Sequence, residues 1–289
     1  MTRVDDTCLI VIKHDTGHVE NNWNDLFRQL PILINHINDL PEQICGLTFI
    51  DPALGSAMRQ DELTLIRALP LFADIDEESF ASLMHAAYFQ RFPESVELIT
   101  EGDVPDFLHV VVAGMVELTT AGNGRETVIE IVRPIETFIL AAVVRDQPYL
   151  MSARTLDASR ILMIPSRDVK SVFLNDTAFA RAVVAELAGR YRGMVKALKN
   201  QKLRTSVERL ANYLLCCSQQ NGDSMVFRLV IEKRTLASLL GMTPENLSRA
   251  FGTLAKYGIA VQGQEVRIER PADLIALARP NMLIDDPES

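Results

Sequence analysis

Three polar residues, Glu245, Ser248 and Arg249, stand at the spacing of one face of an α-helix. An arginine can donate two parallel hydrogen bonds to O6 and N7 of guanine, a glutamate can accept from the amino group of cytosine, and a serine can do either. These residue types at this spacing predict a surface that reads base edges of double-stranded DNA. The alternative interpretation is an ordinary helical hairpin with a charged, solvated face.

The surrounding residues 233–258 have the pattern of a helix-turn-helix. Gly241 suits the left-handed turn that ends a helix, and Thr243 followed by Pro244 predicts the start of the next one. Three apolar residues at helical spacing would face inward on that second helix: Leu247, Phe251 and Leu254. The polar face then lies near the N-terminal end of a recognition helix, which is the end that enters the major groove.

A short hairpin is predicted directly after the two helices. The β-rich runs 259–261 and 266–268 flank a Gln262-Gly263 turn, which is typical of the wing of a winged helix-turn-helix.

The net charge of −9 does not fit a protein that is basic throughout, but the charge is unevenly distributed. Acidic residues concentrate before Arg59 and in the C-terminal tail, whereas residues 190–256 are rich in lysine and arginine. Phosphate contact needs a basic face rather than a basic protein. We expect about a third of these basic residues to contact phosphates. The predicted phosphate contacts flank the motif: Arg234, Thr243 and Lys256.

Composition places the chain among globular proteins. Its 289 residues suffice for about two domains, and a hydrophobic content of 48% with 23% charged residues is ordinary for such a protein. No apolar run is long enough to span a membrane, and the start of the sequence lacks the basic segment of a secretory signal. We therefore expect a cytoplasmic protein without membrane contact.

A long helix is predicted over residues 175–203, with Asn175 or Asp176 as its cap. Its apolar residues repeat with the period of a coiled coil, which predicts a parallel homodimer and two recognition helices about one DNA turn apart. The alternative is that the helix packs on its own domain. The predicted seam consists of Val184, Leu187, Tyr191, Met194 and Leu198.

Short strands joined by glycine-containing turns are predicted between residues 63 and 165. The β-rich runs are 97–99, 107–112, 116–119, 128–132 and 161–164. Such a pattern indicates a sandwich or small barrel. The sequence therefore predicts an α+β fold in which this sandwich or barrel, a long helix and a winged helix-turn-helix follow one another. The expected divisions are an N-terminal extension at 1–58, a strand-rich domain at 59–174, a dimerisation helix at 175–203 and a DNA-binding domain at 204–289.

At this point the chain resembles the CRP/FNR family of bacterial transcription regulators, over about residues 61–279. The Leu69-Pro70-Leu71-Phe72 phrase, the Glu101-Gly102-Asp103 phrase and the Glu245-x-x-Ser248-Arg249 signature carry the resemblance. The resemblance implies a homodimer on a near-palindromic DNA site with TTGAT-like half-sites, in which Arg249 and Glu245 contact a G·C pair and Ser248 lies against a thymine. It also implies that residues 59–174 form a β-roll sensor domain, which receives the signal, and that RNA polymerase is a partner of an activator.

The family's cyclic-nucleotide cassette carries a Gly-Glu pair before a short helix and an arginine that neutralises the cyclic phosphate. The resemblance puts Leu140 and Ala141 at the Gly-Glu positions and Met151, followed by Ser152, at the arginine. Losing one partner of a buried charged pair costs about 2–5 kcal/mol, so we do not expect cAMP binding. Leu140, Ala141, Met151 and Ser152 are then the candidates for a changed effector pocket, with Arg145 and Arg154 as possible substitutes for the lost charge.

Two kinds of metal centre are candidates for the sensing group, an iron–sulfur cluster and haem. An iron–sulfur cluster needs about four thiolates together, whereas Cys8, Cys45, Cys216 and Cys217 are far apart or adjacent on one helix, so we do not expect one. Haem needs a neutral histidine and stays open as the basis of a carbon monoxide or nitric oxide sensor. The candidate histidines are His14, His18, His36, His85 and His109.

Residues 1–58 are the least informative part of the sequence. Trp23 to Leu33 has the pattern of a short amphipathic helix, and the segment is either an accessory element or the product of an upstream start codon, with Met58 as the true start; we favour the second. Two further functional classes stay as alternatives: a cyclic-nucleotide-binding regulatory module without DNA binding, and an enzyme. The sequence lacks a phosphate loop, a zinc-spaced cluster and a Gly-x-Ser-x-Gly motif, so we do not expect an enzyme.

Overall fold

A computed structural model describes residues 60–286 of the chain. The predicted helix at 23–33, the alternative start at Met58 and the candidate ligands Cys8, Cys45, His14, His18 and His36 lie outside the described residues. None of the helices within the described range is long and apolar enough to cross a membrane.

Eight strands lie in the first half of the described chain, and three more lie in its second half. The strands are β1 Tyr88–Phe92, β2 Glu97–Ile99, β3 Phe107–Ala113, β4 Val116–Gly122, β5 Arg125–Val132, β6 Glu136–Phe138, β7 Ser152–Thr155, β8 Ser159–Pro165, β9 Val226–Arg228, β10 Ile259–Gln262 and β11 Glu265–Ile268.

Helices flank the first sheets and dominate the rest. They are α1 Gln60–Arg67, α2 Glu77–Ala86, α3 Leu140–Arg145, α4 Ser166–Asn175, α5 Thr177–Leu203, α6 Ser206–Gln220, α7 Lys233–Leu239, α8 Pro244–Leu254, α9 Pro271–Ala278 and α10 Met282–Asp285, with a 3₁₀ turn at Ala255–Tyr257.

Two four-stranded antiparallel sheets form the β-roll. One has the order β1-β8-β3-β6 and the other β2-β7-β4-β5. Alternate residues of both sheets point into a shared apolar interior, which includes Val111, Leu118, Phe138 and Ile161. All five predicted β-rich runs are strands; β1, β6 and β7 were not predicted, because they are short and mix polar with apolar residues.

A second apolar cluster packs helices against the outer face of the β1-β8-β3-β6 sheet. It joins Phe72, Leu83 and Leu162 to Phe179 and Val183 at the start of α5. The N-terminal part of the long helix therefore packs, through this cluster, on the outer face of the β-roll. Of the two candidate caps, Asp176 is the one whose carboxylate accepts from the N–H groups of Ala178 and Phe179.

The helix pair α7–α8 and its flanking helices α6 and α9 share a third core with the β10-β11-β9 sheet. Leu210, Leu236, Leu254 and Leu274 are fully buried in it. Helix α5 is separated from α6 by Arg204 and Thr205, and Thr205 forms a capping box with Glu208. The non-helical link between the long helix and the DNA-binding unit is thus only the two residues Arg204 and Thr205.

Candidate DNA-binding site and its connection to the β-roll

Helix α8 begins and turns as its sequence predicts. Gly241 has φ +62° in the turn after α7, and a side chain there would clash with Gln201 of the long helix. The Thr243 hydroxyl accepts from the backbone N–H of Asn246 at 3.3 Å, and Pro244 occupies the first helical position. Leu247 and Leu254 are buried, and Phe251 is half-buried, as expected for the inward face.

The opposite face of α8 carries the three predicted base-reading residues, and all three are exposed: Glu245, Ser248 and Arg249. The Arg249 guanidinium donates to the side-chain oxygen of Asn246 at 2.6 Å. A hydrogen bond from Thr243, together with the positive charge of Arg249, lowers the pKa of Glu245. The face therefore presents a charged acceptor and an always-charged donor side by side, as cytosine and guanine require.

The predicted phosphate contacts flank this face. Arg234 on α7 and Lys256 in the 3₁₀ turn are exposed. Thr243 is also exposed, but its hydroxyl already serves as the cap of α8. Lys233 lies over the ring of Phe251 at 5.7 Å, where it packs against the recognition helix.

The wing is a three-stranded antiparallel sheet rather than a hairpin alone. Gln262 pairs with Glu265, so the two-residue turn is Gly263-Gln264, one position later than predicted from the sequence. Gly263 has φ +61°, which glycine adopts without strain. The unpredicted strand β9 pairs with β11 along Val226 to Arg228.

Several basic residues of the 190–256 stretch are engaged inside the protein. Arg190 of α5 donates to Glu130 at 2.7 Å and to Glu186 at 3.1 Å, which ties the long helix to β5. Arg209 is buried and donates to the carbonyl oxygens of Arg204 and Leu240, both at 2.9 Å. These arginines stabilise the fold and do not form part of an exposed basic face.

The exposed apolar residues of α5 follow the predicted seam. Val184, Tyr191, Met194 and Leu198 are 56–70% exposed, which is unusual for large apolar side chains at helical spacing. Leu187 differs, since it is partly buried against the β-roll core of its own chain. The predicted dimer seam therefore fits the exposed residues of the helix, and the alternative, packing on its own domain, fits Leu187.

The four candidate effector-pocket residues do not surround one space. Leu140 is buried in the cluster between sheet and helices, whereas Met151 packs against the interior of the roll. Ala141 is exposed, and the Ser152 hydroxyl accepts from the backbone N–H of Glu101 at 2.9 Å. Leu140 and Met151 thus serve in apolar packing, and Ser152 holds the backbone of Glu101.

The substitute charge at Arg154 is also engaged. Its guanidinium donates to buried Glu117 at 2.9 Å and lies 3.5 Å from Glu126. The hydrogen bonds that Arg154 donates to Glu117 raise the pKa of Arg154 further. An arginine held by two carboxylates is not free to neutralise a phosphate.

His109 lies inside the roll on β3, stacked on Phe138 with ring centroids 5.1 Å apart. It is 3% exposed, and its Nδ1 has no hydrogen-bond partner among the described residues. Burial lowers the pKa of His109 to about 4, so the ring is neutral at pH 7. His85, the other histidine of the described range, is exposed on α2.

The remaining metal-ligand candidates are dispersed. Cys216 and Cys217 are half-buried free thiols on α6, and burial raises the pKa of both. Within residues 60–286, no three histidine, cysteine, aspartate or glutamate side chains come together as a metal site.

A contact that sequence reasoning missed joins the β-roll to the helix-turn-helix. Ser238 of α7 accepts from the backbone N–H of Val128 in β5 at 2.8 Å. Nearby, Arg133 donates to Gln220 of α6 at 2.7 Å, and Ile131 packs against the core of the DNA-binding unit. The partners lie about a hundred positions apart, so no local spacing signals this contact.

Fold and site together define a class of protein: a DNA-binding regulator in which a β-roll and a long helix carry a winged helix-turn-helix. Comparison with known proteins gives the family. A model described as a cyclic nucleotide-binding domain matches residues 89–176, and one described as a Crp-like helix-turn-helix domain matches residues 208–277. Together they cover more than half of the chain, which belongs to the CRP/FNR family of transcription regulators.

Individual relatives agree with this assignment. Over 213 residues the chain is 26% identical to the cyclic AMP receptor protein of Thermus thermophilus. The aligned region covers 73% of this chain and 96% of that protein. It is 27% identical to a regulatory protein of known structure from Silicibacter pomeroyi, with a TM-score of 0.52 over 77% of this chain and 100% of that one. FixK2 from Bradyrhizobium japonicum shares the fold at 19% identity, with a TM-score of 0.59 over 68% of this chain and 98% of that one.

Proposed function

We propose that this regulator binds, as a homodimer, a near-palindromic DNA site with TTGAT-like half-sites. The exposed row of Glu245, Ser248 and Arg249 on α8 is the observation that carries the proposal, because it offers charged and hydroxyl groups to base edges. In this proposal, Arg249 and Glu245 contact a G·C pair and Ser248 lies against a thymine. Arg234, Thr243 and Lys256 contact phosphates around them.

The chain divides its tasks along its length. Residues 59–174 form the sensor domain, 175–203 the dimerisation helix and 204–289 the DNA-binding domain, with 1–58 as an N-terminal extension. Val184, Tyr191, Met194 and Leu198 form the dimer seam, and their exposure in the single chain supports this role. Leu187 joins the seam only at its edge, because part of its side chain already packs inward. RNA polymerase is the partner when the protein acts as an activator.

The sensor acts on the DNA-binding unit through strand β5 and the long helix. The hydrogen bond between Val128 and Ser238 and the ion pair between Glu130 and Arg190 make β5 a direct physical link between roll, helix and α7. A signal that shifts β5 changes the orientation of α7, provided that the effector binds the two orientations with different affinity.

The signal is not a cyclic nucleotide held in the manner of the family cassette. Leu140, Ala141 and Met151 lack the groups that hold ribose and phosphate, and Arg154 is neutralised by Glu117 and Glu126. Titration of the purified protein with cAMP checks this inference: we expect no saturable heat, whereas micromolar binding contradicts it.

A second candidate function is haem-based gas sensing, and His109 is the observation that favours it. A neutral imidazole with an unpartnered nitrogen inside the roll is the form of histidine that ligates haem iron. Haem reconstitution tests this function: a Soret band that is lost in His109→Phe supports it, and the absence of a Soret band from the wild-type protein excludes it.

Selection of genomic DNA fragments by the purified protein tests the main proposal, because it examines binding and half-site together. Arg249→Ala should weaken binding to the selected site by about 1–3 kcal/mol and relax the preference at one base pair. Arg234→Ala serves as the matched arginine control, since it should weaken specific and random DNA alike. Equal losses on both kinds of DNA for Arg249→Ala would contradict a base contact.

A further inference from the structure

The last described residues fold back onto the end of the long helix. This C-terminal segment, residues 281–286, contains α10 and lies against the final turns of α5. Lys196 donates its Nζ to the carbonyl of Asp286 at 2.7 Å, and Lys199 donates to the carbonyl of Leu283 at 3.4 Å. The acidic tail and part of the basic stretch, which the sequence presents as separate features, therefore meet in the fold.

Arg204 anchors the segment at the break between α5 and α6. Its guanidinium makes two hydrogen bonds to the Asp285 carboxylate, the first at 2.7 Å, and one to Asn200 at 3.1 Å. Only 7% of the Arg204 side chain is exposed. A two-pronged pair with so little solvent access is stronger and more directional than a surface ion pair, and removal of one partner leaves the other charge buried.

The Asp285 carboxylate is held in its charged form. Burial opposes ionisation, but hydrogen bonds from Arg204 and from the backbone of Asn281 outweigh it and lower the pKa of Asp285. Asn281 in turn caps α10 by accepting from the N–H of Leu283 at 2.9 Å. The short helix and its anchor thus support each other.

The backbone carbonyl of Arg204 contacts the DNA-binding unit. It accepts from Arg209, whose guanidinium also donates to the carbonyl of Leu240 at the end of α7. One residue therefore holds the C-terminal segment through its side chain and the helix-turn-helix turn through its carbonyl. The angle between α5 and the DNA-binding unit cannot change at Arg204 without disturbing these bonds.

We propose that the C-terminal segment is an intramolecular latch that fixes the angle between the long helix and the helix-turn-helix. The inference rests on the proposed function for its consequence on DNA, because two latched units on one dimer set a single distance between recognition helices. A latched protein then selects one spacing between half-sites, and an unlatched protein tolerates several. The latch itself is a property of the free chain.

Two measurements on the full-length protein test the latch, with Asp285→Asn as the variant. The first is hydrogen exchange of the Leu283 and Ile284 backbone amides without DNA, which are hydrogen-bonded within the segment and where we expect about tenfold faster exchange. The second is binding to DNA sites whose half-sites are moved apart by one or two base pairs. We expect the wild-type protein to prefer one spacing by about tenfold or more, and the variant to lose most of that preference.

Asp273→Asn is the matched control, because Asp273 makes an exposed ion pair with Arg270 at 2.7 Å in the same unit. It changes the charge equally and should leave both measurements as in the wild type. If Asp285→Asn does not fold, the double variant Lys196→Met/Lys199→Met takes its place, because methionine has no group that can donate to the segment's carbonyls.

The outcomes separate the latch from the proposed function. Unchanged exchange in Asp285→Asn overturns the latch, and faster exchange with an unchanged spacing preference overturns its role on DNA. Faster exchange combined with a relaxed spacing preference supports both. A wild-type protein that binds no site selectively overturns the proposed function, while the exchange measurement still decides whether the latch exists.

Discussion

The backbone N–H of Val128 donates to the hydroxyl of Ser238 at 2.8 Å, which joins a strand of the β-roll to the first helix of the helix-turn-helix. Because β5 is an edge strand, this N–H has an outward hydrogen-bonding direction that no neighbouring strand of its sheet takes up. The DNA-binding unit thus covers the edge of the β-roll at this position. This hydroxyl, the nearby hydrogen bond from Arg133 to Gln220 and the packing of Ile131 join the two parts of the chain.

Ser238→Ala should loosen this link. The loss of one hydrogen bond at a half-buried site corresponds to about 0.5–1.5 kcal/mol, so exchange of the Val128 amide should accelerate by roughly 3- to 10-fold. Ser224→Ala, which removes a hydroxyl bonded within its own turn, is the control. Exchange at Val128 that is identical in wild type and Ser238→Ala would show that the link does not persist in solution.

Tyr191→Asp should dissociate the proposed homodimer. A carboxylate at the centre of the seam would have to be buried against the partner's apolar face without a counter-charge, which weakens association by about 100-fold or more. Sedimentation velocity measures the change. Leu174→Asp introduces the same charge at an 80% exposed leucine of α4 and should leave the dimer intact. A wild-type protein that sediments as a monomer at high concentration contradicts the seam.

Ile135→Gly should stabilise the protein. Ile135 has φ +71°, a left-handed conformation that is costly for a β-branched side chain, and 47% of its surface is exposed, so only about half of the burial of an isoleucine is lost. We expect the free energy of unfolding to rise by about 1 kcal/mol in urea titrations. Val104→Gly removes a 65% exposed valine outside that conformation and should instead destabilise the protein. A loss of stability in both variants would exclude strain at Ile135.

His109 should make stability depend on pH below neutrality. Burial lowers the pKa of His109 from 6.5 in the unfolded chain to about 4 in the folded protein, so between these pH values only the unfolded chain binds the proton. The stabilisation is complete above pH 6.5 and is lost as the pH falls towards 4, by up to about 3 kcal/mol.

His109→Phe provides the comparison for that titration. The variant keeps an aromatic ring against Phe138 and lacks the titrating group, so its unfolding free energy should fall less over the same pH range. Parallel pH profiles for wild type and variant would show that another group controls acid unfolding.

Local sequence spacing predicted much of the structure of the helix-turn-helix. Gly241, Thr243 and Pro244 are adjacent in the chain, and their conformational preferences act on the next turn of backbone, so the start of α8 is where the sequence puts it. The exposure of Glu245, Ser248 and Arg249 follows from the inward packing of Leu247 and Leu254, which is a matter of helical period. The wing turn lies one position later than predicted because the register of β11 also depends on β9, where Val226 pairs with the distant Arg267.

The basic residues show what spacing cannot predict. Arg190, Arg204 and Arg209 belong to the same charged stretch as Arg234 and Arg249 and are chemically equivalent in the sequence. Their roles differ because distant carboxylates and carbonyls reach three of them and leave the other two exposed. Leu187 differs from Tyr191 for a similar reason, since the β-roll core covers only the first part of α5.

The sequence by itself determined the order of elements, the helix-turn-helix and the side chains exposed on its second helix, because helix caps, glycine turns and apolar periods act between residues a few positions apart. Only the tertiary structure decided how those elements are coupled. The Val128–Ser238 contact, the Arg154–Glu117 pair and the Arg204–Asp285 anchor each join residues that are far apart in the chain. Such contacts depend on the packing of whole units, which no local preference specifies.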